Sequence, residues 1–229
     1  MEARRRRDAL YGRRKGKPLS PRRAALMATE FPRLAIDIGT PAPSDLRTLF
    51  SVSVDAVHLE IGFGGGERLV AAARASPSIG FIGIEPFLNG MGKAVAAVAD
   101  EKLRNVRLFD KDASDLLTWL PPASLAEVDL FYPDPWPKKR HHKRRFVSPA
   151  NLDRVARVLV PGGLFRVASD IPGYIEWTLF NVQRNAAFAW AAERADDWRK
   201  PFQGWTETRY EAKARGAGRH PAYLTFARV

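Results

Sequence analysis

A short apolar run, Val57 to Ile61, ends in a turn that holds four glycines among five residues, Gly62 to Gly66. A helical pattern begins at once with Glu67, Arg68, Leu69, Val70 and three alanines. Buried strand, glycine turn and helix, in that order, form the ligand-binding corner of doubly wound α/β folds. The glycines let the backbone turn tightly and let a ligand approach without meeting a Cβ.

The dinucleotide fingerprint, Gly-x-Gly-x-x-Gly, fails here in both registers. Counted from Gly62 the third glycine falls on Glu67, and counted from Gly64 it falls on Leu69. A carboxylate, Glu60, instead stands two residues before the first glycine, at the strand's carboxyl end. It repels a pyrophosphate and suits a ligand that carries an ammonium and a sulfonium. The pattern resembles the first motif of S-adenosylmethionine (AdoMet) methyltransferases. That resemblance implies the class I methyltransferase fold: an α/β, Rossmann-like, seven-stranded and mostly parallel sheet with helices on both faces, with AdoMet as cofactor.

Composition narrows the choice. At 229 residues and 45% hydrophobic content the chain is long enough to bury a proper core. It has no cysteine, which excludes disulfides, a thiol nucleophile and cysteine-ligated metals. No segment reaches the roughly 18–20 apolar residues of a membrane span, and the arginine-rich start lacks a signal peptide's apolar stretch. A cytoplasmic protein is expected. The net charge of +12 is concentrated: residues 1–23 carry +8, residues 138–145 carry +6, and the remainder sums to −2. Such clustering serves a polyanion, because each neutralised phosphate releases counterions.

Residues 1–25 read as a basic, flexible arm and residues 26–229 as the methyltransferase domain. The arm either orders on RNA or stays a solvated tail, and the sequence favours neither. Residues 24–50 mix a short apolar stretch with prolines, and Ser44 is expected to cap a short helix over 45–50. A second strand over 80–85 ends at Glu85, placed to accept both hydroxyls of an adenosine ribose. A helix over 88–101 and a third strand over 105–109 follow. Asp112 is the choice for the adenine amino group, with Asp110 its competitor and Asp115 a helix-start residue. Further elements are a helix over 114–120, a strand over 128–132 and a helix over 149–160. Pro161-Gly162-Gly163 turns into a strand over 164–168, and a helix follows over 173–187. The last strand, over 223–229, is expected to pair antiparallel with one near 188–194.

After the fourth strand the chain reads Pro133-Asp134-Pro135-Trp136-Pro137, and then eight consecutive Lys, Arg or His residues, Lys138 to Arg145. Prolines at alternate positions stiffen this loop and present Asp134 and Trp136 at a strand's carboxyl end. This run closely resembles the bacterial tRNA (guanine-N7-)-methyltransferases. Leu59 to Glu67, Gly83 to Glu85, Ser169-Asp170 and Thr208-Arg209-Tyr210-Glu211 share in the resemblance, which covers about residues 45–229. It implies methyl transfer from AdoMet to N7 of a variable-loop guanine in tRNA. Residue by residue, it implies that Glu60, Gly62, Gly64, Glu85, Asp112 and Asp134 contact AdoMet, and that Asp134 is catalytic. It assigns Lys138, Asp170, Thr208, Arg209, Tyr210 and Glu211 to the substrate. It assigns Arg140, His141, His142, Lys143, Arg144 and Arg145 to RNA. No metal and no obligatory protein partner is implied.

The chemistry points the same way. N7 of guanine carries an in-plane lone pair, so no proton leaves that atom before attack, and the work is positioning. Methylation makes the ring cationic, and a carboxylate bonded to N1–H or the exocyclic amine stabilises that charge. Asp134 is the candidate, with Asp170 as helper. Trp136 either receives an unstacked base or packs the loop onto the core. His141 and His142 are adjacent and make a poor metal pair, and His58 reads as a sheet residue. One rival is an exocyclic-amine methylase, which wants Asn/Asp-Pro-Pro-aromatic. Another is a non-catalytic RNA-binding module, which needs none of Glu60, Glu85 and Asp134.

Overall fold

The structure, a computed structural model, describes Gly12, Arg14 and residues 16–229. Most of the expected basic arm therefore lies outside the described residues. Seven strands form one sheet: β1 (Ala56–Ile61), β2 (Ile79–Ile84), β3 (Val106–Phe109), β4 (Leu125–Phe131), β5 (Leu159–Ser169), β6 (Phe188–Trp190) and β7 (Ala222–Arg228). Their order is β3-β2-β1-β4-β5-β7-β6, and β7 runs antiparallel to both of its neighbours. The α/β, mostly parallel, seven-stranded fold is as expected.

Nine α-helices are present among the described residues. They are α1 (Pro21–Thr29), α2 (Phe31–Leu34), α3 (Glu67–Ala75), α4 (Leu88–Asp100), α5 (Ala113–Trp119), α6 (Pro149–Val158), α7 (Pro172–Val182), α8 (Asp196–Arg199) and α9 (Arg209–Gly216). The chain divides into two compact units. The first holds the described residues up to Val57 together with 61–121, and the second holds 58–60 together with 122–229.

In the first unit the helical spacing of Met91, Ala94, Val95 and Val98 turns one face of α4 onto Leu69, Val70 and Ala73 of α3. Leu26, Met27, Phe31 and Leu34 close over the same cluster. Helix α1, capped by Ser20, begins before the expected boundary at residue 26. Upstream of it, Gly16 N–H donates to Asn89 Oδ1 at 2.9 Å, and Asn89 Nδ2 donates to the Lys17 carbonyl at 2.7 Å. The cap of the short helix near residue 45 differs from expectation. Asp45, not Ser44, accepts from Arg47 N–H, and only a single 3₁₀ turn, Leu46–Leu49, forms.

In the second unit Phe131, Ala168 and Tyr223 form a small aromatic core with Tyr132, Phe202 and Trp205 packed on it. Pro161-Gly162-Gly163 is a bulge within β5, not a turn before it. Leu159 already pairs with Leu125, and the ladder resumes at Leu164 opposite Glu127. Gly162 at φ 76° supplies the left-handed residue that the bulge needs. Helix α6 accordingly stops at Val158.

Candidate active site

The first unit carries the glycine turn. Gly62, Gly64 and Gly66 have φ of 73°, 62° and 79°, a region open to glycine at no steric cost. Glu85, beyond the end of β2, accepts from Gly64 N–H at 2.8 Å and from Phe87 N–H at 2.9 Å, one on each oxygen. Both Glu85 oxygens thus hold backbone N–H groups, and the carboxylate shapes the turn.

Gly90, in the first turn of α4, was missed by sequence reasoning. A Cβ there would lie 2.1 Å from the Gly64 carbonyl oxygen and 3.1 Å from Glu85 Cγ. The available signal was Gly90 with Gly92 inside an Ala/Val helix, where each glycine costs about 1 kcal/mol against alanine. Asp112 is itself the cap of α5, accepting from Ser114 N–H at 2.8 Å and Ser114 Oγ–H at 2.6 Å on one oxygen. Asp115 lies in the first turn, and Asp110 is exposed.

The second unit carries Glu60, buried near a cluster of charges. Arg166 donates to both oxygens of Asp129, at 2.8 and 2.9 Å, and to Glu127. Burial opposes its charge, but Asp129, Glu127 and Glu60 outweigh that and hold the guanidinium protonated. Arg166 thus offsets three acids, one of them Glu60. His58 Nδ1 lies 3.1 Å from Glu127, a sheet position as expected.

The loop after β4 is strained at both ends of its Pro-Asp-Pro segment. Tyr132 has φ of 48° and Trp136 of 42°. Left-handed backbone at a bulky residue costs on the order of 1–3 kcal/mol and persists only where surrounding contacts hold it. Those contacts are visible. Tyr132 N–H donates to the Ala168 carbonyl at 2.8 Å. Arg145 donates from Nε to the Pro135 carbonyl at 2.9 Å and from an Nη to the Gly173 carbonyl at 3.0 Å.

The basic run winds as a 3₁₀ helix over Lys139–Arg144. Three residues per turn eclipse i and i+3 and sort the run by face. His142 and Arg145 pack on the Trp177 ring, at 5.3 and 5.2 Å between centres. His141 and Arg144 pack on the Trp136 ring, at 5.9 and 4.9 Å. Lys138, Lys139, Arg140 and Lys143 are exposed. Arg145, expected to hold phosphate, is only 6% exposed and corrects that expectation, because its guanidinium is committed to backbone carbonyls and aromatic faces. His141 is pulled below the ordinary histidine value by desolvation and by Arg144, Arg140, Lys138 and Lys143, and is neutral at pH 7.

Tyr132, Asp134, Asp170, Lys213 and Arg219 line one small cavity of about 190 Å³ in the second unit. Sites that enclose a whole drug-sized ligand are ~300–1,000 Å³, so this one suits a single planar group. Partial desolvation raises the Asp134 carboxyl above the ordinary aspartate value. Asp170 Oδ2 accepts from Arg219 Nε at 2.6 Å. Lys213 and Arg219 were not singled out from sequence, since isolated cations near the C-terminus carry no motif.

The Thr208–Glu211 stretch forms the start of α9. Thr208 caps α9, its Oγ1 accepting from Glu211 N–H at 3.1 Å. Glu211 is fully buried. It accepts from Tyr223 OH at 2.5 Å, Trp205 Nε1 at 2.5 Å and an Arg215 Nη at 2.6 Å. The spacing Thr-x-x-Glu is a helix-start signature, and Thr208 serves that purpose here. Arg209 is exposed at the same helix start. Among the described residues no group of three or more metal-ligating side chains gathers, and no helix is long and apolar enough to cross a membrane.

A family model described as "Putative methyltransferase" matches residues 55–223. The tRNA (guanine-N(7)-)-methyltransferase of Mesorhizobium japonicum is 58% identical over 221 residues, covering 96% of this chain and 95% of its own. That of Rhizobium meliloti is 56% identical, covering 97% and 96%. Among solved structures, the 16S rRNA methyltransferase KamB superposes with a TM-score of 0.59 at 20% identity, covering 82% of this chain and 94% of its own. TrmN from Thermus thermophilus gives 0.54 at 17% identity, covering 80% and 46%. These two likenesses concern the fold alone.

Proposed function

The chain belongs to the tRNA (guanine-N(7)-)-methyltransferases, and from that premise we propose which of its own residues carry methyl transfer to N7 of a tRNA guanine. The proposal rests above all on one observation: the small cavity beside the strained Pro-Asp-Pro loop has two carboxylates, Asp134 and Asp170, in its wall. Guanine is the base that meets carboxylates with two adjacent N–H donors.

The first unit fits AdoMet. Its left-handed glycines put no side chain in a ligand's way, and the Glu85 carboxylate stands beside them, bonded to Gly64 N–H. Gly62 and Gly64 would hold the methionine and sugar backbone, Glu85 the ribose hydroxyls, and the free oxygen side of Asp112 the adenine amine. In the second unit Glu60 would take the ammonium, and Asp134 would serve both cofactor and base. When bound, AdoMet supplies the electrophilic methyl.

The chain's own residues do the rest. Asp134, with Asp170, accepts from the guanine N1–H and exocyclic amine and stabilises the positive charge that grows on the ring. The rigid loop keeps that carboxylate placed before the base arrives, so little reorganisation remains. Lys138, Lys139, Arg140 and Lys143 hold phosphates and set orientation without reading sequence. Arg209 and Tyr210 are further candidates for RNA contact. The variable loop as the target region and the cytoplasm as the location belong to the same proposal. The test is to incubate the protein with methyl-labelled AdoMet and unmodified tRNA, digest to nucleosides and identify the labelled product. Label in 7-methylguanosine supports the reading; label in another nucleoside, or none, overturns it.

A further inference from the structure

This inference rests on the reading above, that the cavity in the second unit receives the target guanine. We propose that Arg219, paired to Asp170, is the residue that selects guanine, by donating to O6 while Asp170 accepts from N1–H. The observation is the ion pair itself. Arg219 Nε donates to Asp170 Oδ2 at 2.6 Å, with side-chain exposures of 40% and 11%, and both residues line the cavity with Asp134.

An arginine–carboxylate pair presents a donor beside an acceptor in one plane. The guanidinium has five N–H donors and spends one here, and the carboxylate keeps lone pairs after accepting one bond. Guanine offers the complement in the same order: the O6 acceptor, the N1–H donor and then the 2-amino donor. Arg219 meets the first, Asp170 the second, and Asp134 the third. Adenine in that register sets its 6-amino group against the guanidinium and its N1 lone pair against the carboxylate. Pyrimidines have no N7. N7 lies beside O6 on the Hoogsteen edge, and its lone pair stays open to the methyl provided that the guanidinium meets O6 from the N1 side. Methylation acidifies N1–H, so the bond to Asp170 strengthens as the transition state is approached, which is where it aids rate as well as choice.

The fold holds Arg219 in place for this. Its backbone N–H donates to the carbonyl of Ala214, a fully buried residue at the end of α9, at 2.9 Å. Lys213 lines the same cavity but is exposed on a flexible stem, better suited to a phosphate.

The experiment compares tRNAs, assembled by ligation, that carry either guanosine or 2-aminopurine riboside at the target position. 2-Aminopurine keeps N7 and the 2-amino group but lacks O6 and the N1 proton. The wild-type protein is expected to favour guanosine in kcat/KM by on the order of 10- to 100-fold, the size of one good bidentate base contact. Arg219→Met should shrink that ratio by about tenfold, and Arg219→Lys, which keeps a donor, should shrink it less. An unchanged ratio, with both substrates slowed alike, overturns the proposal, whether Arg219 then serves packing or a phosphate. Should Arg219→Met fail to fold, Asp170→Asn decides. Its amide can donate to the 2-aminopurine N1, so its ratio must also fall, and an unchanged ratio overturns the pairing. Wild-type protein that labels a nucleoside other than 7-methylguanosine defeats the functional reading instead, and the proposal with it.

Discussion

Arg145 Nε donates to the Pro135 carbonyl at 2.9 Å, which ties the end of the basic run back to the turn that precedes it. The second arm of the same guanidinium reaches the Gly173 carbonyl, so one side chain fixes the Pro-Asp-Pro loop to the start of α7. Arg145→Ala is expected to lower kcat by on the order of 100-fold, the scale of a small misplacement of a reacting group. It should leave the salt dependence of tRNA affinity unchanged. Arg140→Ala or Lys143→Ala should do the opposite, sparing kcat and reducing the log–log salt slope by just under one unit each. Filter-binding titrations at several salt concentrations, beside single-turnover rates, separate the two. A reduced slope for Arg145→Ala would return it to the phosphate contacts.

Glu211 is the hub of the aromatic core. Replacing it with Gln removes the charge that Tyr223, Trp205 and Arg215 all address. A buried donor left without its partner costs roughly 1–3 kcal/mol, so Glu211→Gln should lower Tm by several degrees. Burial alone would raise the Glu211 carboxyl, but the hydrogen bonds from Tyr223, Trp205 and Arg215 hold it below the ordinary glutamate value. Its contribution is therefore complete above the unfolded value of about 4.3 and is lost as pH falls through the lower folded value. Melting curves of both proteins should differ most at neutral pH and converge in acid. A gap that widens in acid contradicts this assignment.

The elements that sequence reveals are those built from neighbours in the chain. Glu60, the glycine turn and Glu85 follow from strand–turn–helix order, and the structure sets Glu85 against that turn. Arg145 and Glu211 were legible as a charge and a motif but not as buried residues. A buried charge depends on partners elsewhere in the chain: the Gly173 carbonyl, 28 residues on from Arg145, and Tyr223, 12 residues on from Glu211. The basic run looked uniform because a count of charges has no period. The 3₁₀ winding gives it one, and brings Arg144 and His141 onto the Trp136 ring. Arg219 was invisible because its partner, Asp170, precedes it by 49 residues.

Gly90 bears directly on the cofactor. Gly90→Ala would drive a methyl to 2.1 Å from a backbone oxygen of the glycine turn, a neighbour that cannot rotate away. Either the turn or the first turn of α4 must move. AdoMet affinity, read by isothermal titration, should fall at least tenfold, and Tm should drop by the equivalent of about 1–3 kcal/mol. Gly173→Ala, whose Cβ meets nothing within 4 Å, serves as the matched control. Equal AdoMet affinity in both variants would remove Gly90 from the cofactor site.

Asp134 should trade stability for rate in the opposite sense to Glu211. Desolvation raises its carboxyl above the ordinary aspartate value, so the ionised form that catalysis needs is the form that folding disfavours. For an acid raised in the folded state, the stability penalty grows as pH rises through its titration range and is relieved as pH falls. Asp134→Asn, neutral and of the same shape, should therefore melt no lower than wild type at pH 7 while losing most of its methyl transfer. In wild type, kcat/KM should decline on the acid side through a value above the ~3.9 of a free aspartate. The residual activity of Asp134→Asn should lack that limb. Persistence of the limb in the variant would assign the titration to another acid, with Asp170 the first to substitute next.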